Sequence, residues 1–325
     1  MDKTKPDQAL SGRPIAKKIV AKMKLHWQRK VVNIKNVIVG HAMAEELQKT
    51  VVSQKELEGF HPAHAAYVYA QNQVSVMSEQ LAALKEMAPF VDIISKAEDL
   101  YAPSAPPMSP LTTSYFTCWA FFDACAVPAN ETIGTTILEV GATFGMHAEL
   151  LRVIRLMQDS RMGFYIHRGR EGHVSILEDL VTAAVYPAIV PAGYKGQKNE
   201  NWYVRLLPPP FPGAKEYVVF TTPYIVVHPD FSDWLAYFRR TLPATAGFDD
   251  YARHMKYGPT REYWNDYVFE AYVNHQAGAI YLAGLPDMPE SRPHSEICET
   301  NGWQAPAFPR KSYPERKTSY GRPGF

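Results

Sequence analysis

The chain has 325 residues, of which 46% are apolar and 21% are charged, and its formal net charge is +1. This composition excludes a collagen-like or wholly disordered chain, and the length allows a sizeable core and about two domains. Three cysteines, Cys118, Cys125 and Cys298, are too few and odd in number for a disulfide scaffold.

The sequence pattern predicts neither export nor membrane insertion. No apolar core follows the first residues, as a secretory signal requires. The densest apolar stretch, residues 115–127, is about 13 residues long and contains Asp123, so it is too short to span a bilayer. We therefore expect no transmembrane segment and a cytoplasmic location.

The net charge hides an uneven distribution along the chain. Residues 1–36 hold ten Lys or Arg against two Asp, a net of +8, and residues 310–325 hold five against one Glu, a net of +4. The 19 basic and 30 acidic residues between these ends sum to −11. An acidic body with two basic ends favours partners that bind the ends.

The first element in chain order is a basic amphipathic arm over residues 1–36. Ile15, Ile19 and Met23 recur at i, i+4 and i+8 between lysines, which predicts a helix. Such a helix can lie on an anionic membrane, bind nucleic acid, dock in an acidic protein groove, or pack its stripe on its own domain. The residues of this arm that we expect to bind a partner are Lys17, Lys18, Lys22, Lys24, Trp27, Arg29 and Lys30.

The next segments are predicted to be largely helical. Residues 37–101 are rich in strong helix formers and contain one Gly–Pro break, which predicts a helical hairpin. Four prolines in residues 102–110 predict a stiff extended linker, which we take as the main domain boundary. Residues 111–160 are again predicted to be helical.

The pattern changes to β-structure near Ser160. Five short runs rich in β-branched and aromatic residues follow within residues 161–228, separated by Gly- and Pro-rich turns. Five strands in about 65 residues predict a small barrel of SH3-like or OB-like size. Residues 229–284 are predicted to be helical, with the last helix over 261–282, and residues 285–325 to form an extended basic tail.

The expected fold class is therefore α+β. We expect a mostly helical body with an inserted, small, five-stranded antiparallel β-barrel-like domain at about 161–228. This barrel offers aromatic and cationic side chains for a partner, and aromatic rings between cations are typical of single-stranded nucleic acid binding. However, residues 161–228 carry seven basic and five acidic residues, a net of only +2. The barrel residues that we expect to bind a partner are Tyr194, Lys195, Trp202 and Arg205.

One short cluster could hold a metal ion. Glu58, His61 and His64 flank a predicted helix start, and carboxylate and imidazole ligands suit zinc or iron. His41 and Glu45 could complete such a site only if the hairpin folds back suitably. A capping or surface pair of histidines is the alternative interpretation.

The sequence carries no recognisable catalytic or nucleotide-binding motif. It has no Gly-x-Gly-x-x-Gly after a strand, no Walker lysine, no Gly-x-Ser-x-Gly elbow and no His-Glu-x-x-His pair. Cys118 and Cys125 are spaced too widely for a zinc module and are predicted to be small buried thiols. We expect no cofactor.

Our hypothesis from the sequence is an interaction or adaptor protein without catalytic activity. It would dock a protein partner, or another copy of itself, through its basic ends and its small barrel. One alternative is a nucleic-acid-binding protein that uses the basic arms. The other is a metal-dependent enzyme that uses the His/Glu site of the helical hairpin.

Overall fold

The computed structural model describes residues 14–28, 33–126, 131–242, 248–258 and 263–284. The predicted tail, residues 285–325, lies outside these ranges. The described helices are α1 (Ile15–Trp27), α2 (Ile34–Gln48), α3 (Gln54–Leu57), α4 (Pro62–Ala82), α5 (Ala88–Tyr101), α6 (Thr113–Phe122), α7 (Ile133–Phe144), α8 (Ala148–Asp159), α9 (Phe231–Thr241), α10 (Phe248–Tyr257) and α11 (Tyr263–Glu270).

The described strands form one sheet, part of which closes into a barrel. Around the barrel the strand order is β1-β2-β3-β5-β4, and β4 pairs back to β1. Beyond the barrel, the sheet continues from β4 through β6 and β8 to β7. The strands are β1 (Met162–Glu171), β2 (Val174–Asp179), β3 (Val185–Ile189), β4 (Asn201–Leu207), β5 (Tyr217–Val219), β6 (Tyr224–His228), β7 (Tyr272–Gln276) and β8 (Ala279–Ala283).

The α+β class with a small five-stranded barrel is confirmed, but the barrel is mixed rather than antiparallel. Strands β3 and β5 run parallel, with Ala188 opposite Tyr217. The other neighbours around the ring are antiparallel. An odd number of strands cannot alternate in direction all the way around a closed ring, so at least one pair must be parallel. The prediction of a purely antiparallel barrel is therefore wrong on geometric grounds.

A β-hairpin replaces the end of the predicted last helix. Helix α11 ends at Glu270, and β7 and β8 then pair with each other in antiparallel fashion. Gly278 makes the turn at φ +80°, and a Cβ there would lie 2.7 Å from the Ala192 carbonyl oxygen. The aromatic stripe of α11 therefore does not continue as a helix to residue 282. The glycine turn and the pairing of β8 with β6 extend the sheet instead.

Three hydrophobic clusters hold the fold together. Side chains alternate across β1, so that Phe164 packs with the C-terminal helices while Tyr165 faces the interior of the barrel. The third cluster lies among the helices of the N-terminal half and includes Ile137 and Ile154. The barrel wall thus separates the cluster in its interior from the clusters outside it, and β4 is buried on both faces along its whole length.

The proline-rich segment is held against the sheet rather than standing free. Residues 102–104 form a short 3₁₀ turn. The Tyr272 hydroxyl donates to the Pro107 carbonyl at 2.8 Å, and the Tyr224 hydroxyl donates to the Pro110 carbonyl at 2.9 Å. Proline carbonyls accept these bonds because no regular helix or strand uses them. The division of the chain into separate domains stays a prediction.

Candidate interaction surface

The first half of α1 is fixed to the body of the protein. Ile15 and Ile19 are buried in the helical core. The Glu131 carboxylate accepts the backbone N–H groups of Ile15 and Ala16, with 3.1 Å to the second, and so caps the helix. Lys22 pairs with Glu86. Part of the predicted amphipathic stripe therefore packs on its own domain.

The last four residues of α1 and every residue of α2 except Leu47 are exposed. Trp27 keeps 67% of its surface in water, although its ring meets Phe144 edge-on at 4.7 Å. Helix α2 has no buried residue in its 15 positions. Of the 15 exposed large apolar side chains among the described residues, seven lie in these two helices. We call these seven the α1–α2 surface: Leu25, Trp27, Ile34, Val37, Ile38, Val39 and Met43.

Helix α2 is capped at its N-terminus, and the chain that follows its C-terminus is bound to α4. The Asn33 side chain accepts the Lys35 backbone N–H at 3.0 Å and caps the N-terminus. After the C-terminus, the Asn72 amide of α4 donates to the Thr50 carbonyl at 3.1 Å and accepts the Val52 N–H at 2.9 Å. Only Leu47 within the helix is partly buried. Hydrogen bonds to α4 thus fix the chain just after the helix, while the apolar side chains of the helix are exposed.

The chain segment that carries the α1–α2 surface is rich in basic residues. Residues 14–44 contain seven Lys or Arg and no Asp or Glu. Lys17, Lys24 and Lys35 are exposed, and Lys18 is half-buried. Two residues of the predicted binding set, Arg29 and Lys30, lie outside the described residues. Exposed lysines beside exposed aliphatic side chains favour an anionic partner or an acidic patch on a partner.

The barrel residues predicted to bind a partner are mostly occupied within the chain. Trp202 is fully buried in the barrel interior, where the His167 ring stacks on it at 4.8 Å. The Tyr194 hydroxyl contacts both Glu200 and Tyr281 at 2.9 Å. Lys195 alone among the four is exposed. Trp202 is therefore a core residue, because a small barrel must fill its interior with large side chains.

Arg205 belongs to a buried charge cluster rather than to a binding surface. Its guanidinium pairs with Asp123, which also pairs with Lys256 at 3.1 Å. Lys256 donates to the Ser160 carbonyl at 2.9 Å and to the Gln158 carbonyl, at the C-terminus of α8. Burial lowers the pKa of Lys256, and the Asp123 carboxylate opposes that shift. The Asp123–Arg205–Lys256 cluster joins α6, β4, α8 and α10.

The predicted metal ligands are not gathered into a site. The His61 Nδ1 atom accepts the Ala63 N–H at 3.3 Å and caps α4, and the His64 ring stacks on Phe60 at 5.0 Å. Among the described residues, no group of three or more His, Cys, Asp or Glu side chains could hold a metal ion. Glu58, His61 and His64 do not form one because the helix cap and the ring stack fix the two imidazoles separately.

The buried thiols offer no reactive nucleophile. Cys118 is buried in the helical core, and burial raises the pKa of its thiol to about 11. At neutral pH it therefore remains a thiol, 3.8 Å from the Gln71 side-chain amide. Cys125 is also buried, and its thiol donates to the Asp123 carbonyl at 3.4 Å.

Comparison with protein-family models, curated proteins and solved structures finds no match to this chain. Within the described residues, no helix has both the length and the apolar character needed to cross a membrane. The candidate site therefore depends on the chain's own geometry. The most unusual feature of that geometry is the concentration of exposed large apolar side chains in the α1–α2 surface.

Proposed function

We propose that this chain is an interaction protein that docks a protein partner through the α1–α2 surface. The observation that carries the proposal is α2 itself, which exposes Ile34, Ile38 and Met43 to between 59% and 71% and buries no residue. Large apolar patches on a soluble surface mark interaction sites, because covering them removes apolar area from water.

The distribution of apolar residues around α2 indicates that a protein partner covers the helix. At about 100° per residue, Ile34 and Val37 lie on one side of the helix and Val39 lies on the opposite side. A helix that is apolar all round is normally buried on several sides. A 15-residue helix is also close to the shortest that is stable in water alone. A partner packed on α2 accounts for both features.

A reducing compartment is part of this proposal. The described cysteines, Cys118 and Cys125, are not joined in a disulfide. A reducing cytoplasm keeps cysteines as thiols. We therefore propose that the chain meets its partner there.

Affinity purification from the native host tests the proposal. The double variant Ile38→Lys, Met43→Lys should lose partners that the wild-type chain retains, since it places two charges in the proposed contact. Val91→Lys is the matched control, because Val91 is an exposed helical residue at 42% outside the α1–α2 surface. Identical sets of retained proteins for all three chains would overturn the proposal.

A nucleic acid partner is the second candidate, favoured by the absence of acidic residues in residues 14–44. Exposed Lys17 and Lys24 beside exposed Trp27 could contact phosphates and stack on a base. Filter binding at low and moderate salt, with Lys17→Glu, Lys24→Glu as the comparison, tests this candidate. Absence of retention at low salt would end it.

A further inference from the structure

We infer that the protein partner of α2 is a second copy of this chain, docked with its own α2 antiparallel to the first. This inference rests on the proposed function and names its partner. It is carried by the order of charges along α2 and by the face on which they lie.

Helix α2 has opposite charges at its two ends and none between. Lys35 lies in the first turn, Glu45 and Glu46 lie in the last turn, and residues 36–44 contain no Lys, Arg, Asp or Glu. Lys49, the residue that follows the helix, pairs with one Glu46 carboxylate oxygen at the surface, which leaves the second oxygen for a contact from another copy. This order is unfavourable within one helix, because the N-terminus of a helix is already positive and the C-terminus negative. An antiparallel second copy places each positive end beside a negative end, so both the dipoles and the side chains become complementary.

One face of α2 holds these charges together with apolar side chains. At about 100° per residue, six positions fall within roughly 140° of arc. All six are exposed. Leu47, the partly buried residue, lies about a third of a turn from the centre of this face. We call the six the pairing face: Lys35, Ile38, Val39, Ala42, Met43 and Glu46.

The pairing face is complementary to itself in one antiparallel register. With a two-fold axis midway between Gly40 and His41, Lys35 of one copy lies at the level of Glu46 of the other. In the same register Ile38 meets Met43 and Val39 meets Ala42. Each contact of the pairing face then joins two apolar side chains or two side chains of opposite charge. A two-fold interface requires this self-complementarity, because the same patch serves both copies.

The Lys35–Glu46 relation makes the inference testable by charge exchange on the purified full chain. In sedimentation velocity the wild-type chain should show a concentration-dependent dimer. With Lys35→Glu, both contacts between positions 35 and 46 bring two acidic side chains together. With Glu46→Lys, both contacts bring two basic side chains together. Each single variant should weaken the dimer by roughly tenfold, the factor that about 1.4 kcal/mol gives.

Mixing the two single variants should restore association. In the mixed dimer one copy carries two acidic groups and the other two basic groups, so both contacts become attractive. The double variant Lys35→Glu, Glu46→Lys should likewise dimerise as the wild type does. Lys96→Glu is the control, since it makes the same charge change on an exposed residue of α5 and should leave the dimer unchanged.

The other outcomes separate this inference from the proposed function. If the chain stays monomeric at every concentration, or if mixing restores nothing, the antiparallel pair is wrong. Loss of co-purified partners in the Ile38→Lys, Met43→Lys chain would still support docking, now to a different protein. A vesicle of anionic lipid would give another pattern, with weaker binding for Lys35→Glu and stronger binding for Glu46→Lys, and that pattern would overturn the pair.

Discussion

The barrel wall and helix α2 both depart from the usual distribution of side chains, which places apolar groups inside and charged groups outside. The barrel wall buries charges, with Arg205 1% exposed, whereas α2 exposes aliphatic side chains such as Ile38 at 63%. Buried charges and exposed apolar patches are both departures that require an explanation. For the barrel the explanation lies inside the chain, since Asp123 pairs with both the Arg205 guanidinium and Lys256. For α2 no described residue supplies a cover, and the proposed explanation is a partner.

Because of this difference, we expect the buried cluster to determine stability and the pairing face to determine association. A substitution in the buried cluster should change the free energy of unfolding, because its contacts lie within one chain. A substitution on the pairing face should leave that free energy almost unchanged and alter association. The predictions below test this separation, beginning with the largest expected effect.

Removing the shared carboxylate should have the largest effect. Asp123→Ala leaves Arg205 and Lys256 buried without their counter-charge, which should lower the free energy of unfolding by about 3–5 kcal/mol. Chemical denaturation measures this directly. The control is Glu178→Ala, which breaks the bidentate pair with Arg168 at the barrel surface, where the side chains are 26% and 39% exposed. That loss should stay within about 1 kcal/mol. Equal losses would contradict the cluster's role.

A glycine in the packed helical region should tolerate no side chain. A Cβ at Gly134 of α7 would meet the Gln158 side-chain oxygen and would lie 2.8 Å from a ring carbon of Phe122. Gln158 is itself fixed by the Thr132 hydroxyl at 2.7 Å. Gly134→Ala should therefore lower the free energy of unfolding by about 1–3 kcal/mol. An unchanged denaturation midpoint would show that this packing relaxes freely.

Acidification should weaken the barrel through His167. Its Nδ1 lies 2.9 Å from the Gln197 carbonyl, so the hydrogen sits on Nδ1, and the buried Nε2 has no partner among the described residues. Protonation would bury an unpaired N–H, and burial accordingly lowers the pKa of His167. The unfolded chain then binds the proton more readily, so stability is full above about pH 6.5 and falls as the pH drops below it.

Thermal unfolding between neutral pH and about pH 5 measures this effect. His167→Gln should flatten the fall in melting temperature, because the variant has no proton to take up. His173→Gln is the control, since His173 is exposed on the neighbouring turn. Identical slopes for the His167 variant and the wild type would show that His167 does not contribute.

The sequence predicted the fold class and the five barrel runs because strand patterns and turn residues are local signals. It did not predict the parallel pair β3–β5 or the β7–β8 hairpin, which depend on which strands become neighbours. The hairpin did leave a signal, a glycine between two β-rich runs at residues 272–283. The spacing of aromatic residues in α11 continues at the helical period to Tyr272. It therefore predicted a longer helix where the hairpin begins.

The candidate site was predictable only in part. Trp27 and the lysines of α1 were identified from composition, and α2 was predicted as helix without its exposure. Trp202 and Arg205 were assigned to a surface because a strand pattern does not show which face is covered when both faces are buried. The buried cluster could have been suspected from Asp123 alone, since a single charge in an apolar run needs a partner.

The smallest expected effect tests whether α2 is truly uncovered within the chain. A Cβ at Gly40 would meet nothing within 4 Å, and Gly40 lies on the side of the helix away from the pairing face. Gly40→Ala should therefore raise the free energy of unfolding by about 0.5–1 kcal/mol, because alanine loses less backbone entropy in a helix. The same glycine-to-alanine change thus has opposite signs at Gly40 and Gly134. Denaturant titration gives the sign, and sedimentation should show an unchanged dimer. A loss of stability at Gly40 would mean that another part of the chain packs against α2, and the contrast between α2 and the barrel wall would then fail.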